Sequence, residues 1–300
     1  MTVTATRPPT RSWTLRLPGG RELTLGGRPR VMGILNLTPD SFSDGGLWVD
    51  PGRAVDHALA MAAAGAELLD LGAESTRPGG GVYGGGAPAV DAEEEWRRLA
   101  PVLAALRRRI DLPLSVDTRK GEVARRALAE GADLVNDVTA LADPAAARAV
   151  ADAGCPVVLM HSRGETATMQ RHAVYGDVVA EVRRELAAAL DRAERAGVDR
   201  EQTLLDPGIG FAKGGEHNVA LLARLDELAE LGRPLLVGAS RKAFLGRLTG
   251  VERPGERLAG SLAAALWSAS RGAAIVRVHD VGPTRQALDA WAAFDEARGR

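Results

Sequence analysis

Polar and charged side chains follow short apolar runs at intervals along the whole of this 300-residue chain. The first run, at 31–35, ends at Asn36, and later runs end in carboxylates, amides or cations, which can bind an anion or a hydrogen-bonding ring. In chain order, these polar positions are Asn36, 74–77, Asp117, Asn136, His161, Asp206, 240–242, Arg277 and His279. Chance would leave several of them as Gly, Ala or Ser alone, so the recurrence indicates one site assembled from many segments.

Strands that alternate with helices would position these side chains. The apolar runs that are typical of buried parallel strands are 31–35, 67–71, 113–117, 133–138, 156–160, 203–206, 234–238 and 274–278. The amphipathic segments are 51–64, 92–109, 119–130, 144–153, 177–196, 218–231, 241–248 with 255–271, and 283–296. This alternation predicts an α/β fold, a (β/α)8 TIM barrel with its site at the C-terminal ends of the strands. A doubly wound open sheet is the alternative, but no dinucleotide fingerprint follows the first strand.

The N-terminal segment precedes the predicted barrel. Residues 13–25 alternate around a Pro-Gly-Gly turn, which predicts a β-hairpin. We expect residues 1–11 to be disordered and residues 12–300 to form a single barrel domain.

Composition excludes several classes of function. A net charge of −1 gives no field that favours nucleic acid or an anionic membrane. The chain begins without an apolar signal segment, and no later run approaches the roughly 18 apolar residues of a spanning helix. We therefore expect a soluble, cytoplasmic protein. The single cysteine, Cys155, heads an apolar run and is predicted to be a buried structural thiol.

Seven segments resemble the dihydropteroate synthase family, in that family's order, from the first predicted barrel strand to the last. They are MGILNLTPDSFSDGG (32–46), DLGAESTRPGG (70–80), SVDTRK (115–120), NDV (136–138), LLDPGIGFAK (204–213), GASRKAFLG (238–246) and RVHDV (277–281). The resemblance implies a transferase of folate biosynthesis that joins p-aminobenzoate to 6-hydroxymethyl-7,8-dihydropterin pyrophosphate and releases pyrophosphate. It also implies Mg²⁺ as cofactor, a homodimer, small-molecule partners and a target of sulfonamides.

The residues that match the family's pterin pocket are Asp117, Asn136, Asp206, Phe211 and Lys242. A carboxylate such as Asp206 can accept both adjacent N–H groups of a pterin edge. Asn136 can donate and accept hydrogen bonds, and Lys242 can donate them. The competing interpretations are structural. Asp206 can cap a turn, Asn136 can bond the adjacent loop, and Phe211 can be part of the core.

A pyrophosphate site is expected where the last strand meets the first. Arg277 and His279 lie two residues apart and project from one face of a strand, and a guanidinium binds phosphate oxygens in pairs. The resemblance adds Thr76 and Arg77, and it makes Asn36 the residue associated with Mg²⁺. The competing interpretations are a barrel salt bridge for Arg277 and a structural role for His279.

Two long, polar, Gly-rich stretches, 38–48 and 75–88, have the composition of mobile loops over a barrel mouth. In the family these are the catalytic loops, and p-aminobenzoate binds where they close. The matching residues are Phe42, Pro78, Ser240 and Lys242. Extra glycines at 79–88 depart from the family's usual length and should raise the entropic cost of closure.

Loss of pyrophosphate leaves a cation delocalised into the pterin, so catalysis should stabilise both developing charges. The resemblance implies that the residues that stabilise these charges are Asp117, Arg77, Lys242 and Asn36, with Asp117 beside the cation. A neutral arylamine requires no strong general base, and no histidine–carboxylate dyad is expected among the strand ends.

Three other functions fit parts of the pattern. A pterin-binding methyltransferase barrel shares the pterin pocket, but it lacks the TPDSFSDGG and STRPGG segments present here. A paralogue that holds pterin without condensation would be favoured by loss of Phe42, Arg77 or Lys242, and all three are present. A non-catalytic barrel scaffold is the third.

Overall fold

The computed structural model describes residues 11–38, 50–74, 90–165 and 168–298. Eight parallel strands close a barrel in which the last strand pairs with the first, and helices follow the strands. A two-stranded antiparallel sheet precedes it. The predicted (β/α)8 barrel with an N-terminal hairpin is therefore confirmed, and the open sheet is excluded. The predicted disorder of residues 1–11 falls almost entirely outside the described residues.

The secondary structure follows the predicted alternation closely. The hairpin strands are β1 (Trp13–Arg16) and β2 (Glu22–Leu25). The barrel strands are β3 (Arg30–Asn36), β4 (Leu68–Gly72), β5 (Leu114–Asp117), β6 (Leu134–Asp137), β7 (Val157–Met160), β8 (Thr203–Asp206), β9 (Leu235–Val237) and β10 (Ala273–Val278). The helices are α1 (Pro51–Ala63), α2 (Ala92–Arg107), α3 (Gly121–Ala129), α4 (Pro144–Ala153), α5 (Val178–Arg195), α6 (Gly215–Ala223), α7 (Leu225–Ala229), α8 (Ala243–Thr249), α9 (Leu258–Ser270) and α10 (Val281–Arg298).

One predicted helix is divided into two. The segment expected at 218–231 is α6 and α7, separated at Arg224, where ψ of 33° leaves the helical region. The Arg224 side chain bonds Glu227 in α7 and Asp177 at the start of α5. Apolar residues continue on both sides of the break, so their spacing alone could not reveal it.

Each barrel strand sends alternate side chains outward and inward. In β4, Leu69 and Leu71 pack outward in an apolar cluster that includes helix residues, whereas Leu68 belongs to the apolar cluster inside the barrel. Asp70 shares the inward face with Leu68, one layer nearer the C-terminal end, and it is fully buried. The barrel interior is therefore apolar at the N-terminal end of the strands, which we call the base, and polar at the C-terminal end, which we call the mouth.

The hairpin covers the base of the barrel. Its apolar side chains, including Leu15 and Leu25, pack against the inward residues of the barrel strands. Polar contacts fix it there: Arg21 pairs with Asp133, and the backbone N–H of Arg16 donates to Gln202 (3.1 Å). The hairpin therefore closes the base, and the polar mouth lies at the opposite end of the barrel.

Two sequence expectations concern compartment and redox chemistry. Cys155 is buried and free, as predicted, and burial raises the pKa of its thiol to about 12, so it is not a poised nucleophile. Within the described ranges, no helix combines the length and the apolar composition that a membrane span needs.

Candidate active site

Arg277 occupies the centre of the mouth. It projects inward from β10, where its Nε donates to Asp70 Oδ2 (2.5 Å) and its Nη2 donates to Asp117 Oδ2 (2.9 Å). Asn136, from β6, donates to the same Asp70 oxygen at 3.0 Å. One guanidinium thus links carboxylates from β4 and β5 across the barrel. The barrel salt bridge considered for Arg277 exists, and it lies in the mouth itself.

Three polar atoms in or beside this arrangement lack hydrogen-bond partners in the described part of the chain. They are Asp70 Oδ1, Ser115 Oγ and Asn136 Oδ1, all buried. Buried polar atoms in native proteins are normally satisfied by protein, water or ligand. The mouth therefore has hydrogen-bonding capacity that the described protein groups do not use.

A second group faces Arg277 from β8 and the turn after it. Asp206 Oδ1 accepts from the Gly208 backbone N–H (2.7 Å), so the turn-capping role considered for Asp206 is real. Gly208 has φ of +65°, and a Cβ there would overlap the carbonyl oxygen of His161, so glycine is required. Lys242 donates to the carbonyl of Ile209, and its Nζ lies 4.4 Å from the centre of the Phe211 ring. The turn thus joins a carboxylate, a cation and an aromatic wall.

Burial dominates the electrostatics of these groups. It raises the pKa of Asp117 to about 7, an effect that Arg277 opposes and the Asp70 carboxylate reinforces. Burial also raises the pKa of Asp206 and lowers the pKa of Lys242 to about 8. The charged forms of these groups are destabilised by burial, which is typical of groups that act on a ligand.

Ser240 and His279 form a further pair beside Arg277. The Ser240 Oγ accepts from the backbone N–H of His279 (3.2 Å) and lies 3.1 Å from His279 Nδ1. Burial, together with the Arg277 and Arg241 cations, lowers the pKa of His279 to about 4. The ring is therefore neutral at pH 7. With Nδ1 accepting from the Ser240 hydroxyl, Nε2 carries the proton and can donate to a phosphate oxygen.

The described structure brings together most of the predicted site residues, namely Asp117, Asn136, Asp206, Phe211, Ser240, Lys242, Arg277 and His279. Asn36 is half-buried at the end of β3, the strand that pairs with β10. The remaining predicted residues, Phe42, Thr76, Arg77 and Pro78, lie outside the described residues, as do nearly all of the two loops and the glycines at 79–88.

Sequence reasoning missed three buried groups of this end of the barrel. Asp70 and Ser115 are inward polar residues in otherwise apolar strands, and strand alternation could have identified both. Lys213 follows the turn after β8, and its position gave no such signal. Sequence reasoning considered histidine–carboxylate pairs only among the strand ends, and it did not foresee that His161, directly after β7, lies 2.9 Å from Glu185, a carboxylate supplied by α5.

A barrel mouth with carboxylates, cations, an amide and an aromatic wall defines an enzyme for a flat, hydrogen-bonding ring, and the family model described as "Pterin binding enzyme" matches residues 32–279. Dihydropteroate synthase from Escherichia coli (strain K12) is 49% identical over 260 residues, which are 87% of this chain and 89% of the relative. The chain belongs to the dihydropteroate synthase family.

Solved structures agree with this membership. Xanthomonas albilineans dihydropteroate synthase with 4-aminobenzoic acid has a TM-score of 0.87 and 52% identity, covering 95% of this chain and 99% of that one. The same organism's enzyme in complex with 7,8-dihydropteroate has a TM-score of 0.83 and 50% identity, covering 94% and 98%.

Proposed function

We propose that this chain condenses 6-hydroxymethyl-7,8-dihydropterin pyrophosphate with p-aminobenzoate to give 7,8-dihydropteroate and pyrophosphate. The observation that carries this function is the mouth itself, where Arg277 bridges Asp70 and Asp117 and where Asp206 and Lys242 also lie. It lies in a chain about half identical to dihydropteroate synthases over nearly its whole length.

The pterin lies, in our proposal, between Asn136, Asp206 and Lys242, with Phe211 on one wall. Asp206 has one oxygen on the Gly208 N–H, and its carboxylate can still accept the two adjacent N–H groups of the pterin edge. The unpartnered Asn136 Oδ1 is a further acceptor. These available acceptor atoms favour a hydrogen-bonding ring over a purely apolar ligand.

Arg277 and His279 bind the pyrophosphate in this proposal, together with Thr76 and Arg77. Arg277 uses its Nε and one Nη2 N–H group on carboxylates, and its planar head still has donors for phosphate oxygens. The neutral His279 ring adds a donor without a charge to desolvate. The leaving group is thus held by donors fixed before it arrives.

Asn36 is the proposed protein contact of Mg²⁺. In the described ranges, no group of three His, Cys, Asp or Glu side chains is arranged to hold a metal. A single carboxamide oxygen near β10 fits Mg²⁺, because this ion keeps several waters and binds substrate phosphates. When bound, Mg²⁺ would neutralise charge that develops on the departing pyrophosphate.

The chemical step breaks the bond between the pterin methylene carbon and the pyrophosphate oxygen, which leaves with the electron pair. Asp117 stabilises the resulting cation, and the amine nitrogen of p-aminobenzoate then attacks the methylene carbon. The arylamine is neutral at pH 7, so its proton leaves after the C–N bond forms, without a strong base. Ser240 and Lys242, with Phe42 and Pro78, hold the second substrate in this proposal.

Pyrophosphate release by the purified chain tests this function. The reaction contains the pterin pyrophosphate and Mg²⁺, with and without p-aminobenzoate. We expect release with p-aminobenzoate to be matched by an equal amount of dihydropteroate. Tight pterin binding without condensation would instead favour the paralogue or methyltransferase.

We also propose a homodimer in the cytoplasm. Three helices that contact one another, α6, α8 and α9, carry exposed apolar side chains, including Leu248 (64% exposed) and Trp267 (44%). A second copy that covers this surface would remove it from water. Sedimentation velocity at micromolar concentration measures the state, and a monomer throughout would exclude the dimer.

A further inference from the structure

Lys213 is a buried cation to which the proposed reaction gives no role. It is only 2% exposed and follows the turn after β8. Its Nζ donates to the Phe211 carbonyl (2.8 Å) and to the His161 carbonyl (3.4 Å), and it lies 2.8 Å from His161 Nδ1. All three ammonium protons therefore have acceptors within the fold. These three contacts fix the position of the buried amine.

His161 connects Lys213 to Glu185 through the two nitrogens of its ring. Because Nδ1 accepts from Lys213, the ring proton lies on Nε2, which donates to Glu185 (2.9 Å). Burial and the Lys213 charge lower the pKa of His161 to about 4, so the ring stays neutral. Glu185 also accepts from Arg163. The chain of bonds thus runs from the turn to the surface of α5.

Lys213 lies close to the turn that follows Asp206, the carboxylate assigned to the pterin. A Cβ on Gly208, whose N–H bonds Asp206, would be 3.3 Å from the Lys213 Nζ. The backbone N–H of His161 donates to the Asp206 carbonyl (2.9 Å), which ties the end of β7 to the same turn. The ammonium is therefore close enough to act on the Asp206 charge through space, although the two groups share no hydrogen bond.

The charges around Lys213 oppose one another. Asp206 and Glu185 favour its cationic form, whereas Lys242 and Arg163 disfavour it and His161 is neutral. Burial is the largest influence and lowers the Lys213 pKa to about 7. Burial raises the pKa of Asp206, and Lys242, the Gly208 N–H, Arg277 and, with the smallest of these influences, Lys213 favour its ionised form. Below pH 7 the lysine is charged, which is also where Asp206 most needs support.

We propose that Lys213 is a positioning residue of the pterin subsite, whose buried ammonium closes the 207–213 turn on His161 and keeps Asp206 ionised. The inference rests on the proposed function, because it assumes that Asp206 binds the pterin. Only the ionised carboxylate can accept both pterin N–H groups. Loss of the cation should therefore weaken pterin binding selectively at low pH.

Three variants separate charge from packing: Lys213→Met removes both charge and donors, Lys213→Gln keeps donors, and Lys213→Arg keeps the charge. Calorimetric titration of the full chain with the pterin pyrophosphate gives Kd against pH. We expect the acid limb of binding to move up by about one pH unit in the Met and Gln variants, and to stay in place in the Arg variant. KM for p-aminobenzoate at saturating pterin should not change.

Arg233→Met is the matched control. Arg233 is 4% exposed and donates to the Thr203 carbonyl (3.2 Å), at the opposite end of β8. We expect it to lower stability while leaving the acid limb of pterin binding unchanged.

If the acid limb of pterin binding stayed in place in Lys213→Gln, the inference would be overturned, whatever the change in stability. The Gln variant also serves as the test if Lys213→Met does not fold. If the wild-type chain fails to bind the pterin at all, the proposed function fails instead.

Discussion

Buried carboxylates at the two ends of the barrel differ in how completely they are hydrogen-bonded. At the base, Asp133 accepts from Arg107 (2.7 Å), from the Leu114 backbone N–H (2.8 Å) and from Arg21. At the mouth, Asp70 is as deeply buried, yet its Oδ1 has no partner within the described ranges. A complete set of partners marks a carboxylate that serves the fold. An incomplete set marks one whose environment a ligand completes.

The pKa values of carboxylates also differ between the two ends: the example at the base is lowered and the example at the mouth is raised. Burial would raise the pKa of Glu67 at the base, but hydrogen bonds from Arg28, Arg30 and the Val31 N–H outweigh it, and the pKa is lowered. At the mouth, burial outweighs Arg277 and raises the pKa of Asp117. The base therefore gains stability from its charges, and the mouth holds charges at the expense of stability.

The backbone shows the same division. Among the described residues, positive φ values outside glycine occur at Ala140, Leu141, Ala212 and Arg241, all after the C-terminal ends of strands. At the base, the turns that need positive φ use glycine, as at Gly65 and Gly154. Among the described non-glycine residues, strain is therefore concentrated at the mouth, where we propose that the ligand binds.

Replacement of Asp117 by Asn should have the largest effect. The amide fits the same space and can accept from Arg277, but it cannot stabilise a cation, so we expect kcat to fall about 10²–10³-fold, which is about 3–4 kcal/mol. The melting temperature should change little, because Asp117 is not a fully partnered carboxylate. Initial rates and calorimetric pterin binding measure the two effects. Equal losses in kcat and in pterin affinity would contradict the role beside the cation.

Asp133→Asn is the matched change at the base. It weakens the pairs with Arg107 and Arg21, so the unfolding free energy should fall by about 3 kcal/mol. We expect KM for the pterin pyrophosphate to stay unchanged. If both substitutions lowered stability and rate alike, the two ends would not differ as described.

The pH profile should reflect the mouth and not the base. The proposed reaction needs ionised Asp117, whose pKa is raised to about 7, and protonated Lys242, whose pKa is lowered to about 8. We therefore expect kcat/KM for the pterin substrate to be bell-shaped, with its maximum between these values and a fall of about tenfold per unit on either side. Lys242→Gln should remove the alkaline limb, and Glu67→Gln should leave both limbs in place.

Stability should vary with pH in a related way. The folded pKa of Asp117 lies above its unfolded value, so its stabilising contribution is complete below about 4 and is lost as pH rises toward about 7. The folded pKa of Lys242 lies below its unfolded value of about 10.5, so its contribution is complete above that pH and is lost as pH falls through about 8. Both losses are therefore largely complete between about pH 7 and 8, the range of highest activity. Denaturant titrations between about pH 8 and 10.5, compared with Lys242→Gln, measure the second loss.

The sequence predicted the fold well because strand and helix periodicities are local. It placed Asp117, Asn136, Asp206 and Arg277 at strand ends, since alternation determines which face they occupy. It could not predict that Arg277 would join Asp70 to Asp117, or that α5 would supply Glu185 to His161. These pairs depend on barrel closure and on the path of a helix, which no local pattern encodes.

Exchanging alanine and glycine at residues with positive φ should have the smallest effect on the unfolding free energy. Such exchanges compare the backbone strain at the mouth with that at the base. Ala212 has φ of 49° and is buried at the mouth. Gly there relieves about 1–2 kcal/mol of strain, but it removes a buried methyl worth about 0.8 kcal/mol and frees the unfolded chain by about 0.4–1 kcal/mol. We therefore expect Ala212→Gly to change the unfolding free energy by less than about 1 kcal/mol.

The matched change at the base is Gly154→Ala, at φ of 59° with open space around the added methyl. It introduces the strain without new contacts, so we expect a loss of about 1 kcal/mol in urea denaturation. Pterin affinity should fall in Ala212→Gly, because a looser turn positions Asp206 and Phe211 less well, and should be unchanged in Gly154→Ala. If Ala212→Gly were clearly stabilising with full pterin affinity, the strain at the mouth would serve no purpose in binding.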